Sequence, residues 1–449
     1  MRDRAWLVIV VLLAAAPRVA WYRGHQPALP PDTFGYLNVA REWRGQRPPD
    51  GLWDDRAQLP SNNLAARTPG YPLFLDLVFA LTGYAPTPAA SLVNARTVLR
   101  PGVGTGARED HLRHLERDED VRAVQAAQHA IGVAATAFVF LATAEWSGSA
   151  ATAAVASLVA VGWNPVWMMT LETSVLGETL AGALLIAAVW LTGTRRSFGA
   201  DLVSALLCGA AIAVRPAMVF AVVPVVAYAA FEQRRRWFGV PVLAVAGMTV
   251  ALLVINNGLR YGYWGVSSLG GTTFLSHAND HAAALREPVR EAALRFHPYL
   301  AGGSSLHYAM ATEGGRPFLE VSRDLDRAAV GFAVDHPIWY LTSVIGAIVD
   351  FFSPPFRYVG GDFNVLRQRW PRIWTVISVG VTALLVAGLA ATVLRITTAA
   401  KLGPVAFLVS SVGTSLLAHT ENRRFAAPIV PLVLAAGILV VQRALRGLR

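Results

Sequence analysis

Twelve apolar runs recur along this chain, at roughly 4–22, 70–86, 124–144, 150–168, 176–193, 199–214, 216–231, 238–257, 337–352, 373–394, 402–419 and 425–441. A bilayer-crossing helix needs about 20 predominantly apolar residues, with about 17 as the lower limit. No water-soluble core of 449 residues requires so many runs of that length, and with 54% hydrophobic and only 15% charged residues the chain reads as a polytopic membrane protein. The expected fold class is all-α, a helical membrane bundle.

Charge decides which runs cross. The short loops Thr194-Arg195-Arg196 and Gln233-Arg234-Arg235-Arg236, the segment from Arg395 to Lys401 and the terminal run QRALRGLR are all basic and expected on the cytoplasmic side. The basic start, Met-Arg-Asp-Arg, puts the amino terminus there too. These conditions hold together only if runs 70–86 and 337–352 do not fully cross. Pro69, Gly70 and Pro72 at the start of the first, and Asp76 inside it, also suit a helix lying in the interface. The expectation is one domain over 1–449, with about ten transmembrane helices and two external interfacial helices. Both termini are cytoplasmic, with two long external segments at 23–121 and 259–336, in a multi-pass protein of the cell membrane.

The net charge of +10 reads as positive loops on the cytoplasmic face, since no basic stripe with interleaved aromatics suggests nucleic acid. Cys208 is the only cysteine, which excludes a disulfide framework and a cysteine metal cluster. No GxxxxGKS loop is present to cradle a nucleotide phosphate. The near-balanced charge run REDHLRHLERDED before residue 121 reads as a solvated helix.

The residues that suggest chemistry fall on the expected external face. Asp32 follows the first span; Tyr36 and Ala40 come four and eight residues later, on one face if the piece is helical. Asp32 is both a good N-cap and a candidate general base toward an acceptor hydroxyl. Arg67 precedes a Pro-Gly-Tyr71-Pro turn. Glu172 and Glu178 border a span, where a carboxylate is expensive and tends to face a cavity or partner, so both are candidate catalytic residues. Arg215 and Arg424 sit at external junctions and, with Arg67, suit a lipid phosphate, because guanidinium matches phosphate oxygens bidentately; each alone would equally serve as a headgroup anchor. His277 and His281, four apart, leave a divalent metal open as a cofactor, although no Glu follows His277 as a zincin requires. No metal ligands are assigned.

The pattern Asp32-x3-Tyr36-x3-Ala40, the run Arg67-Thr-Pro-Gly-Tyr-Pro-Leu-Phe-Leu75, Leu-Gly-Glu178-Thr-Leu, Val214-Arg215-Pro216 and Arg424-Phe425-x2-Pro428 occur in this order. In that order they resemble the GT-C membrane glycosyltransferases, specifically the bacterial family 39-like branch. That branch is similar to protein O-mannosyltransferases and lipid A aminoarabinose transferases. The resemblance covers most of the chain. It implies a GT-C-type helical bundle and a polyprenyl-phosphate-sugar donor. It also implies inverting transfer, on the outer face of the membrane, to a glycan, lipid or protein acceptor. It implies further that Asp32 is the catalytic acidic residue of the first loop, with Tyr36 beside it and Tyr71 as a second substrate-binding tyrosine. Arg67 would contact the donor phosphate and Glu178 would be the acidic residue of the second external region. The chain departs from the pattern at Thr33, where many relatives carry a second acid, and in the charged segment near 100–120. The rival readings are a flippase of polyprenyl-linked glycans, for which no internal symmetry is visible, and a glycan polymerase.

Overall fold

The computed structural model describes residues 2–25, 27, 33, 36–37, 39–40, 43, 68–83, 119–195, 197–231, 239–267, 270–295, 310, 318–352, 371–394, 396–419 and 425–447. Among them the chain is helical throughout, with no strand. The principal helices are α1 (Arg2–Gly24), α2 (Gly70–Thr82), α3 (Glu119–Ser147), α4 (Ala150–Ser157), α5 (Glu178–Thr194), α6 (Phe198–Val214), α7 (Met218–Phe231), α8 (Gly239–Tyr261), α9 (Phe318–Asp335), α10 (Pro337–Phe352), α11 (Pro371–Ala390), α12 (Thr398–Leu417) and α13 (Val430–Gly447).

Each of the ten expected spans appears as a helix. Six are long and apolar enough to cross a membrane by themselves: 4–24, 121–147, 150–171, 239–261, 398–417 and 430–447. The other four, α5, α6, α7 and the 375–390 part of α11, are apolar but shorter. All-α polytopic membrane architecture is therefore what the sequence folds into.

α2, where the sequence reading expects an interfacial helix, has 13 residues and makes a rod of about 20 Å, close in length to the 14-residue α7. Tyr71, Leu75, Val78 and Phe79 are buried on one side while Leu73, Leu77 and Leu81 are exposed on the other. Burying a leucine is worth about 1.5–3 kcal/mol relative to leaving it in water. A row of three exposed leucines therefore suits lipid rather than solvent. Gly70 lets the start of this helix sit on the end of α6, since a Cβ there would run into the backbone of Ala213 and Val214.

α9 and α10 are bent by 105° at the break before Pro337, so 337–352 does not continue α9 as one straight span. α9 buries Val321, Leu325, Ala328, Ala329 and Phe332, one face at helical spacing, in a small second core under the 275–293 segment.

The first and fourth helices are joined by a repair of broken backbone. Pro17 lies inside α1 and has no N–H to give the carbonyl of Leu13. The indole of Trp163 donates to that carbonyl instead, at 2.9 Å. Trp163 itself follows a π-helical turn, Leu158–Gly162, and a second one runs Val166–Leu171. The side-chain oxygen of Asn164 caps this second turn, accepting from the backbone N–H groups of Val166 and Trp167 at 3.0 and 3.2 Å. Such irregular helix is found frequently at functional sites.

Candidate functional site: two buried ion pairs around one turn

The turn from 172 to 177, between the second π-helical segment and α5, carries Glu172, and Glu178 opens α5 directly after it. They hold different cations. Glu172 is fully buried and accepts a forked pair of hydrogen bonds from Arg18, Nε to Oε2 at 2.8 Å and Nη2 to Oε1 at 2.6 Å. The Nδ1 of His129 meets Oε2 at 2.6 Å. Arg18 uses its remaining donors on the carbonyls of Ala14 (2.8 Å), Gly162 (2.8 Å) and Val161 (3.2 Å), so it closes the π-helical break. Gly132, three residues past His129 on α3, makes room for this carboxylate, because a Cβ there would collide with it. Glu172 is thus the counter-ion of a buried cation.

Glu178 is the first residue of α5 and is also fully buried. It pairs with Nη1 of Arg215, which lies just past the end of α6. The other side of this guanidinium lies over the ring of Phe425, 5.1 Å from its centroid. Its Nε is buried with no hydrogen-bond partner among the described residues. The Thr68 and Thr179 hydroxyls are likewise buried without one.

Tyr71 ties α2 to the turn. Its hydroxyl donates to Gln128 Oε1 at 2.6 Å. The amide of Gln128 in turn donates to the carbonyls of Glu172 (2.8 Å) and Ser174 (2.7 Å). Burial and the nearby Glu178 carboxylate push the Tyr71 phenol well above its usual range, so it stays a neutral donor. Tyr36 packs edge-on against Tyr71, with centroids 5.1 Å apart. Thr33 donates to the carbonyl of Val175 at 2.9 Å, and Trp21 to the hydroxyl of Thr173 at 3.0 Å. The turn is therefore clamped from α1, α3 and residue 33, and from α2 through Gln128.

Of the residues predicted from sequence, Tyr36, Tyr71, Glu178 and Arg215 converge, and Glu172 lies six residues before Glu178, in the turn that leads into it. Asp32, Arg67 and Arg424 lie outside the described residues, as does the charged run before 119. The His277/His281 pair does not form a helical ligand pair. The backbone at His281 leaves helical geometry (φ −132°, ψ 32°), and its ring stacks on Trp339 at 4.3 Å. His277 instead contacts the Ser343 hydroxyl at 2.9 Å. No group of three or more His, Cys, Asp or Glu that could hold a metal occurs among the described residues.

Sequence reading passed over Arg18, Gln125, Gln128 and His129. The signal was present: a charged residue within an apolar run demands a partner, and Gln125, Gln128 and His129 follow i, i+3, i+4 spacing on one helix.

No protein-family model matches the chain, and no curated protein matches it. Among solved structures, a crystal structure of ArnT from Cupriavidus metallidurans bound to undecaprenyl phosphate matches 99% of this chain and 79% of that one, at 14% identity and a TM-score of 0.37.

Proposed function

We propose that the protein is an inverting glycosyltransferase that moves a sugar from a polyprenyl-phosphate donor to a glycan, lipid or protein acceptor. Transfer takes place on the outer face of the cell membrane, with both termini cytoplasmic. The observation that carries this reading is the buried Glu178–Arg215 pair, set where α2, α5 and α6 meet and beside Tyr71. The five ordered motifs of the sequence lead to the same residues, and Arg215 keeps one buried N–H without a partner among the described residues, which suits an anionic ligand.

In this mechanism the acceptor hydroxyl oxygen attacks the anomeric carbon while Asp32 takes its proton. The bond from that carbon to the lipid phosphate oxygen breaks, and the polyprenyl phosphate leaves with the electron pair. Arg67, with Arg215 and Arg424, balances the charge that develops on the phosphate, where fixed cations lower the barrier most. Glu178 holds the Arg215 guanidinium in place. Tyr36 and Tyr71 line the sugar side. No step calls on a metal.

The test is transfer by the purified protein in lipid, supplied with radiolabelled polyprenyl-phosphate sugars, comparing wild type with Asp32→Asn. Loss of transfer in the variant with donor binding retained is the expected result. Unchanged transfer removes Asp32 from the role of base, and labelled lipid changing leaflet without consumption makes the protein a flippase.

A further inference from the structure

One face of α3 carries polar atoms that the proposed chemistry does not use. Gln125 is fully buried, and both its amide nitrogen and its amide oxygen lack a hydrogen-bond partner among the described residues. His129, one turn further and 5% exposed, is in the same condition at Nε2. The two lie at i and i+4, on the same side of the helix.

This is an expensive arrangement. A buried polar group without a hydrogen bond has lost its water with nothing in exchange, and few such groups survive in a folded protein without a reason. Gln128, between them, shows what the same helix does when a polar side chain serves packing alone: its amide is fully used on Tyr71 and the 172–174 turn.

Glu172 gives His129 a defined orientation. The carboxylate accepts from Nδ1, so in the neutral ring Nε2 is left as a lone pair that accepts a hydrogen bond. Arg18 neutralises Glu172, so the carboxylate adds no unbalanced charge to the face. Gln125 supplies a donor and an acceptor beside that lone pair. At the start of the helix Arg122, half-buried, donates to the Tyr22 carbonyl at 2.8 Å and lies over its ring, while its Nε is buried without a hydrogen-bond partner among the described residues.

We infer that Gln125 and His129 form a subsite for glycan hydroxyls, with the Gln125 amide bridging one hydroxyl and His129 Nε2 accepting from another. The Gln125 amide carries no charge and offers both a donor and an acceptor, which fits the hydroxyls of a polyol. The phosphate belongs to the arginines, so sugar and leaving group are read by separate residues. This inference rests on the glycosyltransferase reading and adds to it where the sugar is recognised.

The experiment compares two probes on the purified protein in nanodiscs: bare undecaprenyl phosphate, and undecaprenyl phosphate carrying a hexose or a pentose. The variant is Gln125→Met, which keeps length and shape but has no hydrogen bonds to make, with Gln125→Leu as a second variant. Wild type is expected to bind one of the sugar-bearing lipids more tightly than the bare lipid. Gln125→Met is expected to bind the bare lipid as wild type does and to lose roughly 5–30-fold in affinity for the sugar-bearing one, the factor that one or two kcal/mol of lost hydrogen bonding gives. Its melting temperature should equal or exceed that of wild type, because an unsatisfied buried amide has been removed.

A set of methyl glycosides, added as competitors, reads the acceptor side. If Gln125→Met keeps the donor preference but loses protection by a methyl glycoside, the hydroxyls bound are the acceptor's. If both preferences survive in both variants, there is no hydroxyl subsite at Gln125. A lower melting temperature with both lipids lost in both variants makes the amide a packing residue and overturns the inference. Bare-lipid binding without any sugar preference in wild type leaves the transferase reading standing and this one failed, whereas no binding of either lipid removes both.

Discussion

Arg18 and Glu172 meet through two hydrogen bonds, at 2.8 and 2.6 Å, across 154 residues of chain and with neither side chain more than 2% exposed. The pair joins the first helix to the turn that leads into Glu178. Deleting one member leaves the other charge buried and unmatched, which costs about 3–5 kcal/mol, whereas replacing both by apolar groups is often close to neutral. Arg18→Met should therefore lower the melting temperature sharply. Arg18→Met combined with Glu172→Leu should lose less than the two single changes added together, as a double-mutant cycle by thermal melting in lipid will read. Additive losses would mean that the forked contact is absent in the membrane.

The Glu178–Arg215 pair has a different consequence, because Arg215 is assigned a ligand as well as a partner. Arg215→Lys keeps the charge but loses the planar fork and its contact with the Phe425 ring. Affinity for undecaprenyl phosphate should fall about tenfold, equivalent to about 1.4 kcal/mol. Isothermal or fluorescence titration in nanodiscs measures it. A lysine variant that binds as well as wild type would exclude a bidentate contact to phosphate.

Much of this architecture was legible from residue order. Apolar runs at 70–86 and 337–352 were legible as helices, and both are helical in the structure, as Gly70–Thr82 and Pro337–Phe352. Glu178, Arg215 and Tyr71 were each readable because each sits at an edge of an apolar run, but the contact between Glu178 and Arg215 was not. Arg18 signalled only that it needed a partner; which partner was not legible, because Glu172 is 154 residues away. The polar face of α3 was hidden for the same reason. Gln125, Gln128 and His129 look like the frayed start of a span until Glu172 and Tyr71 are seen beside them. The i, i+4 spacing of His277 and His281 does not translate into helical geometry, because the backbone kinks at His281, which no spacing rule anticipates.

Tyr71 offers a test of the link between α2 and the turn. Tyr71→Phe keeps the ring against Tyr36 but leaves Gln128 Oε1 without its donor. A buried acceptor stranded in this way costs about 1–3 kcal/mol. The folded-state phenol is raised above its ordinary value of 10.0 by burial first and by Glu178 second, so the stabilisation is fully present below about pH 10 and is lost as pH rises further. The difference in melting temperature between wild type and Tyr71→Phe should be constant from pH 6 to 9. A difference that shrinks within that range would mean the phenol ionises early and is not enclosed as described.

His277 predicts the opposite pH response, in the 275–284 segment. It is buried, its Nδ1 is 2.9 Å from the Ser343 hydroxyl, and that hydroxyl is 2.7 Å from Nδ1 of His419. The backbone N–H of His419 donates to Ser276 at 2.8 Å, and Tyr340 donates to the Leu416 carbonyl at 2.8 Å. Together these contacts latch the 275–284 segment and α10 onto the end of α12. Burial first, and the neighbouring His419 second, hold His277 down to about 4, against an ordinary value of 6.5. Its folded-state value is depressed, so the neutral ring contributes stability in full above about pH 6.5, and that contribution is lost as pH falls toward 4. Protection factors across 275–284 and 338–345, corrected for the intrinsic slowing of exchange in acid, should fall together between pH 6.5 and 4.5. His277→Gln, neutral at every pH, should flatten this dependence while showing lower protection than wild type at pH 7. If protection falls equally in wild type and His277→Gln on acidification, another group drives the opening and the latch does not turn on His277.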